Sequence, residues 1–194
     1  MPKEVFFNLT DEKRERIIFV LREEFKAKPF QKVNVKEIVE KAGIARGSFY
    51  QYFENLEDAY FTILEKETVD IHGLFMKIFL RKNKNLTEAL VEYGTEIAEI
   101  LFDESTYMIY KNRYLYWNED LNRGWESAHK NREELFENMG EKGAMDLEKM
   151  YFIKSIIHSL IERLFQEGWN KEQFIEKYMK HLSWIEKGIN YGNR

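Results

Sequence analysis

The sequence predicts an all-α protein: a small three-helix unit containing a helix-turn-helix, followed by a larger helical body. Three observations carry that prediction. The two prolines of the 194-residue chain stand at 2 and 29, so almost no helix interior is interrupted. Apolar residues recur at three- and four-residue spacing along nearly the whole chain. No segment alternates apolar and polar residues between hairpin turns, as a half-buried strand would.

The elements follow in order. Residues 11–27, DEKRERIIFVLREEFKA, place Ile17, Ile18, Leu21 and Phe25 at helical spacing, with acids in the first turn where they complement the helix dipole. Thr10 is the candidate N-cap, and Pro29 ends the helix near residue 28. VKEIVEKA, 35–42, is a short helix capped by Asn34, with Glu37 three residues on as the capping-box partner. Gly43 supplies the left-handed turn residue, and a second short helix covers about 45–51. A longer helix is expected over 56–80, capped by Asn55 with Asp58 at its third position. Further helices are expected over 86–102, 105–119, 121–138, 145–167 and 171–188. Polar or glycine-containing breaks at 82–85, 140–143 and 168–170 separate some of them. With no flexible linker in sight, the domain boundary is placed at 55/56. Residues 1–55 then form the helix-turn-helix domain, with an N-terminal arm at 1–9, and residues 56–194 the body.

Composition removes several functions. A hydrophobic fraction of 44% against 33% charged argues against disorder. The absence of cysteine removes disulfides, thiolate catalysis and Cys-based zinc sites. Four histidines leave little for a metal centre, so neither metal nor cofactor is expected. No run of 18 apolar residues suggests a membrane span, and MPKEVFFNLTDEKRER lacks a signal core, so a cytoplasmic location is expected. The net charge of −4 first argues against a polyanionic partner. Its distribution reverses that: residues 1–53 carry +3 and the remainder −7.

Residues 34–53, NVKEIVEKAGIARGSFYQYF, read as two short helices about a tight turn. Val35, Ile38, Val39, Ile44 and Phe49 form its small core, covered by Ile17, Leu21 and Phe25, and Ala42 lets the helices cross closely. The solvent face of the second helix is expected to carry Ala45, Arg46, Ser48, Tyr50, Gln51 and Tyr52, and Gly47 allows close backbone approach. A small polar helix nose suits a major groove, and free N–H groups at a helix start suit a phosphate. Asn34 offers a similar contact. The alternative is a hairpin that merely packs, with Tyr50 and Tyr52 half-buried. In the arm, Lys3 suits a minor groove weakly, being balanced by Glu4, while Phe6 and Phe7 are expected to pack on the small domain.

Arg16 to Leu64 resembles the DNA-binding domain of the tetracycline-repressor (TetR) family of bacterial transcription regulators. The resemblance lies in RERIIFVLREEF, in FQKVNVKEIVEKAGIARGSFYQYFENLEDAYFTIL and, within it, in AGIARGSFYQYF. It implies that Ala45, Arg46 and Ser48 stand at the nose of a recognition helix, near bases or phosphates. It places Tyr50 and Tyr52 against the sugar-phosphate backbone and Asn34 near a phosphate. Lys41 adds field. Three positions depart from the pattern. Leu56 stands where the family has a phosphate-touching Lys, Pro29 replaces a Gly, and Val39 replaces an Ala. The resemblance further implies a homodimer on a palindromic double-stranded operator, a small-molecule effector in the body, and no enzymatic activity.

In the body, Tyr107, Tyr110, Tyr114 and Trp117 fall on one helical face, as either a core stripe or a polar-lined cavity. Tyr93, Tyr110, Tyr114, Trp117, Trp125 and His158 are the effector-site candidates. His158 and Glu162, four apart, suit a mutual pair or a ligand contact. The effector is expected to be small and largely apolar or aromatic, and the acidic body is also compatible with a cationic aromatic. Apolar stripes along the last two helices suggest a two-fold four-helix bundle, with Ile153, Ile157, Leu160, Leu164, Phe174, Tyr178 and Leu182 at the dimer interface. Two other functions compete. A helical enzyme with an aromatic-lined active site lacks a marked nucleophile or base beyond His158/Glu162 and His129 with Glu126 or Glu133. A protein-interaction adaptor fits poorly with the polar nose at Ala45–Ser48.

Overall fold

The computed structural model describes residues 2–129 and 146–191, and every regular element among them is helical. They pack as two compact units. One consists of Met1–Thr68 with Glu104–His129, the other of Val69–Asp103 with the described residues after 145.

The first unit holds α1 (Glu4–Phe7), α2 (Asp11–Ala27), a 3-10 turn (Phe30–Lys32), α3 (Val35–Ala42), α4 (Arg46–Tyr52) and α5 (Leu56–Glu67). To these are added α8 (Tyr107–Tyr116) and α9 (Glu119–Ala128). The boundaries follow local chemistry. Asn34 Oδ1 accepts from the Glu37 amide at 3.0 Å, and its Nδ2 donates to the Glu37 carboxylate at 2.8 Å. Gly43 closes α3 at φ +65°, where a side chain would be strained. Asn55 Oδ1 accepts from the Asp58 amide at 2.8 Å, and Asp58 reaches back to the Glu54 amide at 3.0 Å. Thr10 is the residue before α2, but its side chain makes no capping bond.

The core of this unit is built on Ile17, Leu21, Phe25, Ile38, Phe49, Phe53, Ile63 and Leu64, all essentially inaccessible. Helix α8 is riveted to α2 by Asn112, whose Nδ2 donates to the carbonyls of Phe25 (2.9 Å) and Lys26 (3.1 Å). Those carbonyls belong to the last turn of α2 and have no partner within the helix. Helix α9 lies on α5 through Leu121 and an edge-to-face contact of Trp125 with Phe61 at 5.3 Å. The compact unit thus takes in α5, α8 and α9 in addition to residues 1–55.

The expected helix over 56–80 is two helices. Thr68 turns extended after α5, and the Asp70 carboxylate caps α6 (Ile71–Arg81) by accepting from the amides of His72 (3.2 Å) and Gly73 (3.1 Å). The β-branched pair Thr68-Val69 before a capping aspartate is the local reason. The expected helices over 105–119 and 121–138 are likewise parted by extended Trp117 and by Asn118, which caps α9 at the Leu121 amide (2.9 Å). Glu133 and the 140–143 break lie outside the described residues.

The second unit contains α6, α7 (Leu86–Leu101), α10 (Leu147–Glu167) and α11 (Lys171–Tyr191). Asn85 and Asp146 cap α7 and α10 through the amides of Glu88 and Lys149, and Gly168 at φ +67° ends α10. Helix α7 packs on both α6 and α11, and α11 on α10. The closest approach is at Gly94, against which the Tyr178 ring lies while its hydroxyl donates to the Leu90 carbonyl at 2.8 Å.

Burial pushes the phenols of Tyr60, Tyr114 and Tyr178 up from the ordinary 10, Tyr60 to about 12. A raised native pKa means the folded state holds its proton longer than the unfolded chain. The associated stability is therefore complete below pH 10 and lost as pH rises through the native values. For Tyr60 alone the change amounts to roughly 3 kcal/mol. Spectrophotometric titration should show these three of the eleven tyrosines ionising only together with unfolding, above about pH 11. Ionisation of all eleven near pH 10 with the fold intact would contradict that burial.

Candidate functional site

Helix α4 is short, polar and outward-facing. Ala45, Arg46, Gly47, Tyr50 and Gln51 are exposed and Ser48 partly so. No side chain caps its first turn. Phe49 alone anchors its middle into the core, and the turn before it is set by Gly43. Gly47 stands out. A Cβ placed there meets nothing within 4 Å, and its φ is not in the left-handed region. Neither packing nor backbone geometry asks for glycine at that position.

Charge around the helix is sorted. Lys41 pairs with the buried Glu24, which also accepts from Lys28 at 3.4 Å. Lys28 in turn holds Glu37, and that contact drives the Lys28 pKa up and the Glu37 pKa down. These cations fasten α2 to α3. Arg46, by contrast, has no carboxylate partner among the described residues.

Three expectations change here. Tyr52 is not on the solvent face: it is 4% exposed, packed against Phe6 at 6.0 Å between ring centroids. Tyr52 follows the buried Phe49 by three positions and so shares its inner face, which α1 covers through Phe6. Lys3 is not held away from the domain as a free arm. Its backbone amide donates to the Tyr52 carbonyl (2.8 Å), and its Nζ donates to the Tyr50 carbonyl (3.0 Å) and pairs with Glu54 (2.8 Å). The arm thereby terminates α4. Phe6 is buried as expected, but Phe7 is 57% exposed.

The six effector-site candidates divide between the two units. Tyr110, Tyr114, Trp117 and Trp125 belong to the first, where Arg113 lies over Trp117 (5.2 Å) and Trp125 (5.0 Å) and Tyr60 and Phe61 pack alongside. Tyr93 and His158 belong to the second and line one open cleft. Its other walls are Ile71, His72 and Phe75 from α6, and Met150, Ile153, Lys154 and Ile157 from α10. His158 does not pair with Glu162, which accepts from Gln166 instead. Its Nε2 meets His72 Nε2 at 3.0 Å, with the rings parallel and 5.2 Å apart. His72 carried no signal in the sequence, being 86 residues away. His129 likewise pairs with Glu65, at 2.6 Å, not with Glu126. Among the described residues no group of three or more His, Asp or Glu side chains is placed to hold a metal. None of the described helices is long and apolar enough to cross a membrane.

Ile153, Ile157, Leu160, Leu164, Phe174, Tyr178 and Leu182 are all buried within the second unit itself. They form its core, so in this arrangement they present almost no surface to a second copy. The outward sides of α10 and α11 carry Tyr151, Phe152 and Trp184 instead.

Residues 17–58 match the family described as "Bacterial regulatory proteins, tetR family", and residues 86–188 match "Tetracyclin repressor, C-terminal domain". A TetR family transcriptional regulator from Chloroflexus aurantiacus J-10-FL is 25% identical, covering 97% of this chain and 98% of its own, with a TM-score of 0.53. NalD, the secondary repressor of the MexAB-OprM multidrug efflux pump in Pseudomonas aeruginosa, has a TM-score of 0.69 at 15% identity, over 90% of this chain and 96% of its own. That likeness shows the fold alone. No curated protein matches the chain. With more than half of its length in the C-terminal match and the helix-turn-helix in the other, the chain belongs to the TetR family of bacterial transcription regulators, which are not enzymes.

Proposed function

We propose that this chain is a DNA-binding repressor that reads a roughly palindromic operator as a homodimer and lets go when a small, largely apolar ligand fills the cleft of its second unit. The observation that carries the DNA-reading half is Gly47. Glycine in a helix costs about 1 kcal/mol relative to alanine. Nothing inside the protein requires it there, so the requirement comes from outside, from a surface that must approach the helix backbone closely. A duplex edge is such a surface. Ala45, Arg46, Ser48 and Gln51 then face base edges or nearby phosphates, and Tyr50 faces the sugar-phosphate backbone. Tyr52 supports them from within the domain. Asn34 serves first as a cap and borders the same phosphates. The +3 charge of residues 1–53 supplies the general attraction.

A two-fold dimer would present two copies of α4 to successive major grooves. The proposed contact uses the outward faces of α10 and α11, around Phe152 and Trp184. The protein works in the cytoplasm, beside its DNA. Release follows from linkage: a ligand that prefers one arrangement of α6 against α7 and α10 weakens whichever DNA-bound arrangement it disfavours. Helix α6 starts four residues after the end of α5, and α5 follows directly on the recognition helix.

The test is binding to a selected duplex and to its scrambled counterpart at matched salt. Specific binding should be tighter by at least about a thousandfold and fall steeply with salt. Arg46→Ala should lose roughly 10- to 100-fold in affinity without a change in melting temperature. Equal, weak binding to every duplex would remove the proposal's support.

A further inference from the structure

We infer that α2 belongs to the DNA interface: Lys13 and Arg16 grip the sugar-phosphate strand that borders the groove entered by α4. This rests on α4 being the duplex reader. Residues 1–53 hold eleven lysines and arginines. Among the described residues, seven of them are paired with a carboxylate. Lys13, Arg16, Lys32 and Arg46 are not. Three of these four gather around one short helix. Arg46 is the first residue of α4. The Arg16 guanidinium lies against Gly43, in the turn that leads into α4, where a Cβ would run into it. The Lys13 ammonium lies 5.8 Å from the ring centre of Tyr52, the last residue of α4.

The chain does not lack acids that could neutralise this group. Acids outnumber bases, 34 to 30, and Glu12 stands one turn before Arg16 without pairing with it. Arg14, between the two cations, does take a partner, Asp11. Lys13 and Arg16 are both exposed, and three apart on α2 they share a face and repel each other. Like charges left together on a folded surface are unfavourable unless something outside the chain neutralises them. The polyanion entered by α4 does so. A helix with its side chains is about 10–12 Å across, and the major groove is about 12 Å wide. A helix seated in the groove therefore has a phosphate strand along each flank. Helix α2 reaches α4 at its leading turn through Arg16 and at its last residue through Lys13, so its cationic face follows one of those strands. The two contacts are separated by about 10 Å, the length of the seven residues of α4. Contacts of this kind fix register and affinity and carry no base preference.

The test is a salt titration of the full chain on a duplex selected from a random pool and on its scrambled counterpart, followed by anisotropy. Lys13→Gln and Arg16→Gln should each weaken both duplexes by the same factor and leave the preference between them unchanged. Each should lower the slope of log affinity against log salt by about 1 per protomer, so by about 2 for a dimer. The double variant should lose about twice as much. Arg16→Lys keeps the charge and should keep the slope. Arg123→Gln removes a cation already paired with Glu119 and Asp120 and should leave the slope unchanged. Both α2 positions are exposed and glutamine is a good helix former, so the variants will fold. A double variant with the parent's slope would overturn the inference, as would a slope that falls equally with Arg16→Lys. Weaker binding at the parent's slope, together with a lowered melting temperature, would mean that the two cations only brace α4, and would overturn it too. If the parent binds both duplexes equally, the operator reading fails, and the slopes on either duplex still decide the role of α2. A parent that binds neither overturns both.

Discussion

A leucine at position 47 is expected to leave the protein fully folded and to abolish operator binding. The two halves of that result come from one observation. Position 47 lies in the first turn of α4, exposed, with open space where a side chain would start. Inside the protein a larger residue therefore meets no obstacle. Alanine there should raise stability by up to about 1 kcal/mol, because it removes the conformational freedom that glycine brings to a helix. Outside the protein the added atoms stand where the groove edge must come. Leucine holds the helix back by several ångströms, beyond hydrogen-bond reach for Arg46, Ser48 and Gln51 together. With each good base contact worth about 1–3 kcal/mol, losing them jointly should cost more than a hundredfold in affinity. Anisotropy titration with a selected duplex, beside a thermal melt, measures both halves. A Gly47→Leu protein that binds like the parent at the same salt would show that this face of α4 does not enter DNA.

At Gly94 the same kind of substitution should have the opposite sign. A Cβ built there falls 2.2 Å from Cε1 of Tyr178, well inside van der Waals contact. The ring cannot swing aside freely, since it is buried and its hydroxyl is bonded to the Leu90 carbonyl. Helix α11 must move off α7, or the hydrogen bond must break. Overpacking of this kind costs about 1–3 kcal/mol, and a buried carbonyl left without its partner a further 1–3. The helix-propensity gain of about 1 kcal/mol is smaller than that sum. Gly94→Ala should thus lose about 1–5 kcal/mol, a large part of the roughly 5–15 typical of a domain. Urea denaturation gives the number, and Tyr178→Leu in the Gly94→Ala background should recover part of it. Stability equal to or above the parent would mean that α7 and α11 do not cross this closely.

How far the sequence carried these conclusions varies with the range of the interaction. The caps at Asn34 and Asn55 and the turn at Gly43 were legible because each is settled by residues within four positions. The core of the small domain was legible because its apolar spacing is regular. Periodicity, however, reports that a face is buried and not what buries it. Of the stripe Tyr110, Tyr114, Trp117, Tyr110 is buried, and Trp117 packs against Tyr60 and Phe61 of α5 and Trp125 of α9. The stripes on α10 and α11 were inner faces too, closed within their own unit. His158 looked toward Glu162 because only neighbours four apart are visible in a sequence, and its real contact is His72. The break after α5 was readable in Thr68-Val69-Asp70, yet apolar spacing on both sides hid it. Tyr52 turned inward because a four-residue helix, too short to leave a periodic signal, covers it.

Duplex reading by α4 is tested most directly by selecting bound fragments from a random pool with the purified full chain at fixed salt. The expected product is a set of sequences with inverted half-sites whose centres lie about one helical turn, 34–36 Å, or a multiple of it apart. That enrichment should persist with Gly47→Ala at reduced yield and vanish with Gly47→Leu. A pool that emerges without enrichment, or one whose enrichment survives Gly47→Leu, would contradict it.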